Sequence, residues 1–566
     1  MNMRATPAHV FILLATSVSA FAQPVAVAVH ADRVAGEIRP IWNYFGYDEA
    51  GTSVTPAGRQ LLEELNALSD EPIHIRVHHL LTSGDGTLAL KWSSTNVYTE
   101  DAQGRPAYDW TRLDAIMDVL TQPGIEPFVQ AGFMPQALSS QPEPYTPTLV
   151  KTGLPRDMVS GGAFHPPKDY AKWQNLIEAW ARHSAERYGE KRAASWLWEP
   201  WNEPESPYWR GTTEEFFALY DHFAAGVKRA LPHARVGGPH VTDPGWKNGD
   251  VFMRAFLEHC RSGRNAATGK IGAPLDFIAF HAKGTTRLDE QGRVEMNLRN
   301  QLKTIETYGR IIAGFPEFAD LPIYIGESDP EGCAGCPATL DPERDYRRTS
   351  QFAAYSAAAF MRKQELLART QGNLQGAVSW AFTWEGQPWF GGLRALTTNG
   401  VALPVFNTFK LFARLAPQRV AVDALSMIPT DTIIADGVRA EPDLGAVASV
   451  EGDGTRLTVL LWSYHDVAGG YDDRRAVELS VKGLPRPGAG AHWIETTVDA
   501  HAGNSYAAWL AMGSPQHPGP EQITALQAAA QMPSRRHDLA VDADGVAHLE
   551  VTLSGQSVKF LDVRLR

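Results

Sequence analysis

The chain's texture predicts an α/β (β/α)₈ TIM barrel followed by a C-terminal all-β sandwich domain. Two observations carry this. From residue 38 to 414, short apolar runs alternate with amphipathic helical stretches. Beyond 414 the helical periodicity gives way to short strand-like runs separated by Gly, Pro and Asp turns. A length of 566 residues agrees, since one ordinary core does not grow that large.

The apolar runs of the first region are 41–47, 73–80, 127–133, 195–201, 235–239, 275–281, 322–326 and 376–383, eight expected strands. Between the fourth and fifth, Phe216, Leu219, Tyr220, Phe223, Val227 and Leu231 fall on one helical face. Thr212 with Glu215 three residues on makes a capping box at that helix's start. A doubly wound parallel sheet is the rival topology for such alternation. In the second region, strands are expected over 432–438, 446–451, 457–464, 476–481, 494–498, 547–553 and 558–563. Residues 23–37 are also strand-like and are expected to join that sheet, leaving 38–414 for the barrel and 415–566 for the sandwich.

Residues 1–22 have the pattern of an export signal: Arg4, an apolar stretch from Val10 to Ala15, and Ala20-Phe21-Ala22 as a small-x-small cleavage site. The mature chain is then expected to begin at Gln23 and to act in the periplasm or outside the cell. The apolar stretch is too short to span a bilayer, and no membrane partner is expected. The net charge of −12 argues against nucleic acid as a partner. Of the three cysteines, Cys260, Cys333 and Cys336, the last two form a Cys-x-x-Cys that fits a local disulfide, a redox pair or half of a zinc site. A structural zinc needs four ligands and no second half is present, so a loop-stiffening disulfide is the favoured reading.

Catalytic groups of such barrels sit at the C-terminal ends of strands. Two carboxylates stand there: Glu203 in Trp201-Asn202-Glu203-Pro204 after the fourth run, and Glu327 in Gly326-Glu327-Ser328-Asp329 after the seventh. Strands four and seven face each other across a barrel mouth. Two carboxyls so placed suit glycosidic cleavage, one protonating the departing oxygen while the other attacks the anomeric carbon. No His-Glu-x-x-His, Gly-x-Ser-x-Gly or phosphate loop is present, and no metal-ligand spacing, so neither cofactor nor metal is expected. Gly84-Asp85-Gly86-Thr87-Leu88-Ala89 matches a dinucleotide-type string but leads into residues 91–96, which have no helical pattern, and is rejected. A non-catalytic carbohydrate-binding protein would keep the barrel and its aromatics but need neither carboxylate.

The sequence resembles glycoside hydrolase family 39. Its landmarks include Phe45-Gly46-Tyr47-Asp48-Glu49, Arg76-Val77-His78, Gly132-Phe133-Met134-Pro135, Asn202-Glu203-Pro204, Val236-Gly237-Gly238-Pro239, the segment from Asp276 to His281, and Ala507-Ala508-Trp509 in the second domain. The resemblance implies a retaining double displacement. Glu203 would be the acid/base, Glu327 the nucleophile and Asn202 the partner of a sugar 2-hydroxyl. His78 and His281 would line the sugar site, and Trp384 completes the expected substrate-binding set. Gln130, Glu205, Lys283 and Ser328-Asp329 depart from the family's β-xylosidase pattern. His281-Ala282-Lys283-Gly284 and Glu327-Ser328-Asp329-Pro330 are instead similar to its α-L-iduronidase branch, where the corresponding Lys helps hold a uronate carboxylate. Lys283 either does that here or neutralises local acids. The expected activity is exo-hydrolysis of hemicellulose-type oligosaccharides, β-D-xylosides first, with arabinosides or arabinobiose units and iduronides as alternatives. The β-domain is expected to brace the barrel or carry a homo-oligomer contact.

Overall fold

The computed structural model describes residues 24–149, 158–159, 161–469, 474–484 and 490–565, so the expected export signal lies outside the described residues. Strand β1 (Val25–Glu37) comes first. The barrel follows as β2 (Tyr44–Tyr47), α1 (Pro56–Asn66), β3 (Ile73–Val77), α2 (Thr111–Leu120), β4 (Ile125–Gln130), α3 (Tyr170–Tyr188), β5 (Leu197–Glu199), α4 (Thr213–Ala230), β6 (Arg235–Val241), α5 (Gly249–Ser262), β7 (Phe277–His281), α6 (Leu298–Ala313), β8 (Pro322–Glu327), α7 (Ser350–Ala368), β9 (Asn373–Ala377) and α8 (Pro404–Phe412). The eight strands β2 to β9 are hydrogen-bonded in sequence order, every pair parallel. The Gly46 N–H donates to the Ser379 carbonyl (3.0 Å) and the Ser379 N–H to that of Tyr44 (2.9 Å), so the last strand returns to the first. That closure distinguishes a barrel from the doubly wound alternative.

Helix α4 begins as its sequence requires. The Glu215 N–H donates to Thr212 Oγ1 (3.2 Å) and the Thr212 N–H to the Glu215 carboxylate (2.7 Å), a reciprocal cap that satisfies two orphan donors. Inside the barrel, Tyr44, Phe128, Leu197, Phe277, Ala279, Tyr324, Val378 and Trp380 pack into one apolar plug. This plug seals the lower barrel and leaves the strand ends above it as a floor for polar groups.

After the barrel come β10 (Gln418–Ala424), α9 (Thr430–Asp436), β11 (Asp443–Val450), β12 (Arg456–Tyr464), β13 (Arg474–Lys482), β14 (His492–Val498), α10 (Ser505–Ala511), α11 (Pro520–Ala530), β15 (Ser534–Asp538), β16 (Ala547–Ser554) and β17 (Ser557–Arg564). The strands form one sheet in the order β15-β14-β17-β12-β11-β10-β1-β13-β16. Leu479 of β13 and Leu549 and Val551 of β16 share a buried cluster with Ala448 of β11, Val459 and Leu461 of β12 and Val563 of β17, so the sheet folds over on itself in sandwich fashion. Strand β1 is bulged between His30 and Gly36, where its pairing with β10 shifts register. The run expected as a strand over 432–438 is helix α9 instead. Its β-branched residues suggested a strand, but Pro429 before it and left-handed Gly437 after it (φ +78°) frame one helical turn pair, with Ile433 buried.

Helices α10 and α11 dock on the barrel. Asn407 of α8 donates to the carbonyls of Gly503 (2.9 Å) and Ala530 (2.8 Å), and the Phe390 and Trp509 ring centroids lie 5.0 Å apart. A second tie is the ion pair between Arg362 of α7 and Asp443 of β11 (2.8 Å), both side chains fully buried. Among the described residues, no helix is long and apolar enough to cross a membrane.

Candidate active site

The C-terminal ends of the barrel strands gather charged side chains over the apolar plug. Arg76, on β3, is fully buried with its guanidinium 5.1 Å above the Trp380 ring. It donates to Glu199 at the end of β5 (2.9 Å), to the Asn202 side-chain oxygen (2.9 Å) and to Glu327 at the end of β8 (3.3 Å). One rigid cation thereby registers strands two, four and seven. Asn202 is also held from its backbone side, because the Gln130 amide oxygen accepts from the Asn202 N–H (3.0 Å).

Glu203 follows in a left-handed conformation (φ +46°), a sparsely populated region for a residue with a side chain, and its N–H donates to the His240 carbonyl (3.1 Å). This turn lifts the carboxyl out of the strand direction and into the barrel mouth. Its Oε1 shares a hydrogen bond with His281 Nδ1 at the end of β7 (2.9 Å). One carboxylate oxygen of Glu203 and one of Glu327 lie within 4.8 Å of each other. That separation suits a retaining pair, whose carboxyls stand about 5–5.5 Å apart, and is too short for the water-spanning gap of an inverting one.

The two carboxyls differ in environment. Burial first, then the neighbouring Glu327 charge, pushes the Glu203 carboxyl up to about 7. Burial alone would push Glu327 up as well. Lys283 foremost, then His281, Arg76 and His78, outweigh it and hold Glu327 well below the usual carboxylate range. Lys283 Nζ lies 2.7 Å from Glu327 Oε2 and 2.7 Å from Asp329 Oδ2. Below about pH 7 the site therefore presents one carboxyl that keeps a proton beside one that has lost it.

The neighbouring face holds a second chain of charges. His78 Nδ1–H donates to Asp48 (3.1 Å), and Asp48 accepts from Lys91 Nζ (2.5 Å) and from the Trp380 indole N–H (3.1 Å). His78 Nε2 reaches to 4.0 Å from Glu327. Glu203, Lys283 and Lys91 open onto one cavity of about 420 Å³, rimmed by Tyr208, Trp246 and Arg344. Cys333 also borders it and is disulfide-bonded to Cys336, which closes a tight loop at the rim.

The model of Glycosyl hydrolases family 39 matches residues 25–548. The chain belongs to glycoside hydrolase family 39. As a family 39 enzyme it is a retaining glycoside hydrolase. It is 26% identical over 438 residues to a β-xylosidase of Caldicellulosiruptor saccharolyticus, covering 76% of this chain and 78% of that one. It is also 26% identical over 552 residues to the α-L-iduronidase of Homo sapiens, covering 92% and 75% respectively. Among solved structures, the family 39 enzyme from Xanthomonas axonopodis pv. citri superposes with a TM-score of 0.72 at 23% identity over 98% of this chain and all of that one. The bacterial orthologue of human α-L-iduronidase does so with 0.73 at 20% identity, over 96% and 84%. These likenesses show the fold.

Of the residues singled out in the sequence of this family 39 enzyme, Asn202, Glu203, His78, His281, Lys283 and Glu327 converge at the barrel mouth. Trp384 does not join them. Its indole N–H donates to the Arg394 carbonyl (3.0 Å) and its ring borders a separate crevice with Arg348 and Pro388. Sequence reasoning placed Asp48 and Arg76 in family landmarks without giving them a site role, and it missed Lys91. Arg76 is the one fully charged residue in a strand that is apolar apart from His74, which is the available signal. Lys91 comes from the loop that carries the rejected glycine string and had no signal of its own. Among the described residues, Glu203, His281 and Glu327 are the one group whose donor atoms converge enough to hold a metal ion. Lys283 and Arg76 already place positive charge on Glu327, which opposes a cation there.

Replacing Arg76 with Met leaves Glu199, Glu327 and Asn202 buried without their shared partner. The expected loss is about 3–5 kcal/mol of stability, read from denaturant unfolding. Glu327 also loses one of the charges that lower it, so the acidic limb of the activity profile moves to higher pH.

Proposed function

We propose that this family 39 enzyme is an exo-acting β-D-xylosidase working on hemicellulose-type oligosaccharides, with Glu203 as acid/base and Glu327 as nucleophile. The observation that carries the reading is the close pair of buried carboxyls, Glu203 at the cavity and Glu327 behind it against Lys283, with an oxygen of each within 4.8 Å of the other. In the first half-reaction Glu327 attacks the anomeric carbon while Glu203 gives its proton to the glycosidic oxygen, and the alcohol leaves. In the second, Glu203, now ionised, takes a proton from water, whose oxygen displaces Glu327. The Lys283 and Arg76 charges keep the buried Glu327 ionised without a counter-ion from solvent.

The charge pattern supports a neutral sugar. Every cation lining the cavity is already matched: Lys91 with Asp48 (2.5 Å), Lys283 with Glu327 and Asp329 (both 2.7 Å), and Arg344 with Glu343 (2.9 Å). A cavity of about 420 Å³ suits a short saccharide end, in keeping with exo attack. One observation favours a second reading, a uronidase: Lys283 Nζ is at the cavity wall, where a substrate carboxylate competes with Asp329. The deciding experiment is turnover of aryl β-D-xyloside, α-L-arabinofuranoside, α-L-arabinopyranoside and α-L-iduronide by the purified protein. A dominant β-D-xyloside rate supports the proposal. A dominant iduronide rate transfers it to the uronidase, and a dominant arabinoside rate or silence on all four overturns it.

The pH dependence follows from the two charge states. Activity requires Glu327 ionised and Glu203 protonated. As pH rises, kcat/KM climbs through an acidic limb well below neutrality, as Glu327 deprotonates, and falls again near pH 7, as Glu203 loses its proton. Burial also pushes Glu205 and Asp243 up to about 7, and because these carboxyls and Glu203 oppose one another's ionisation, the alkaline limb is expected to be broader than a single-proton titration when followed by initial rates. Export is part of the same proposal, and a disulfide at the cavity rim suits an oxidising compartment. N-terminal sequencing of the secreted protein, expected to begin at Gln23, checks it.

A further inference from the structure

Of the sixteen tryptophans, all within the described residues, Trp246 alone is exposed, at 46% of its surface. It stands on the loop between β6 and α5, at the rim of the cavity that holds Glu203. The loop is built to keep it there. The Trp246 N–H donates to the Asp243 carbonyl (2.9 Å), and the Gly249 N–H to the Trp246 carbonyl (3.2 Å). Lys247 and Asn248 are both left-handed (φ +52° and +61°), an unfavourable conformation for two successive residues with side chains. At the root, the Asp243 carboxyl accepts from the Lys283 N–H (3.1 Å) and the Thr304 hydroxyl (3.3 Å), which ties the loop to the segment beside Glu327.

The other aromatic rings of the cavity are engaged. Phe164 and Tyr208 both pack against Phe133, at centroid distances of 5.0 and 5.5 Å. Trp246 stands outside that cluster, with the Lys247 ammonium 5.9 Å from its ring. Glu203 delivers its proton to the glycosidic oxygen, and that oxygen belongs to the leaving group. Whatever follows the oxygen therefore extends from Glu203 into the cavity, whose lining includes Ser206, Thr242, Asp243 and Trp246.

We infer that Trp246 is the platform on which the leaving-group sugar stacks, and so a determinant of aglycone specificity. The inference rests on Glu203 being the proton donor. An indole offers a broad apolar face to the C–H side of a pyranose while its N–H edge stays wet, and its rigid ring loses little entropy on contact. Stacking of this kind acts on whatever sugar departs and leaves recognition of the released unit to the floor of the site.

The test compares wild type, Trp246→Ala and Trp246→Phe on β-1,4-xylobiose and on β-D-xylosyl fluoride, whose leaving group has no ring. Trp246→Ala is expected to lower kcat/KM on xylobiose roughly tenfold, mainly through KM, while xylosyl fluoride stays within about twofold. Trp246→Phe restores most of the xylobiose rate. Unfolding midpoints shift only slightly, because nearly half of the side chain is exposed and the ring stands outside the aromatic cluster. Equal losses on both donors, or no loss on xylobiose, overturn the inference while the wild-type rates leave the xylosidase reading standing. Wild type that cleaves neither donor overturns that reading, and this inference with it.

Discussion

Glu327→Gly is expected to lose on the order of 10⁴-fold or more in kcat on an activated aryl glycoside, because the covalent half-reaction loses its nucleophile. The variant opens a small void still flanked by two cations, Lys283 and Arg76, which lay 2.7 and 3.3 Å from the missing carboxylate. That void attracts a small anion. Added azide should enter it, attack from the face Glu327 used, and yield a glycosyl azide of inverted anomeric configuration. Turnover near the wild-type level without azide, or a rescued product of retained configuration, would remove Glu327 from the nucleophile's role. Folding is checked by the unfolding midpoint, since deleting one partner of a buried network carries its own cost.

Glu203→Ala should separate substrates by leaving group. With a poor leaving group such as a second sugar, the departing oxygen needs the proton and the loss is about 10²–10⁴-fold. With a good one such as a dinitrophenolate, formation of the glycosyl-enzyme proceeds nearly unaided and the intermediate accumulates as a burst. Azide then accelerates its breakdown and gives a product of retained configuration, the opposite of the outcome at position 327. The fall in activity near pH 7 should also flatten, because the group that titrates there has gone. Equal losses on both leaving groups would contradict the assignment.

Much of this architecture was legible because each barrel strand announces itself as a short apolar run followed by a one-faced helix. The reciprocal cap at Thr212 and Glu215 is local, and local features survive folding unchanged. The placement of both carboxylates was legible for a related reason: each ends a barrel strand or follows one within a few residues, and strand ends meet at the barrel mouth. What escaped were features made by distance in the chain. Arg76 meets Glu199, Asn202 and Glu327 only after the barrel closes, and no spacing in the sequence reports that meeting. Lys91 reaches Asp48 from a loop whose residues carry no periodicity. The β-branched run in α9 misled because propensity weighs Thr and Ile toward strands, while the framing Pro429 and Gly437 decide the local outcome. Trp384 illustrates the converse, a residue in the loop well beyond the end of β9 at Ala377 whose ring turns aside into its own crevice.

The placement of β1 has a bearing on how the polypeptide can be divided. Val27 sits opposite Ala424 on one side and Leu479 on the other, so the strand that precedes the barrel is an interior strand of the sheet that follows it. Excision of the barrel by cutting at residue 414 would strip that strand of both neighbours and expose two bare rows of amides and carbonyls to any second copy in solution. A ribosome releases β1 long before either neighbour exists, so one side of it waits for β10, which ends at Ala424, and the other for β13, which ends at Lys482. The catalytic half of the molecule is thus tethered to the completion of its own far end.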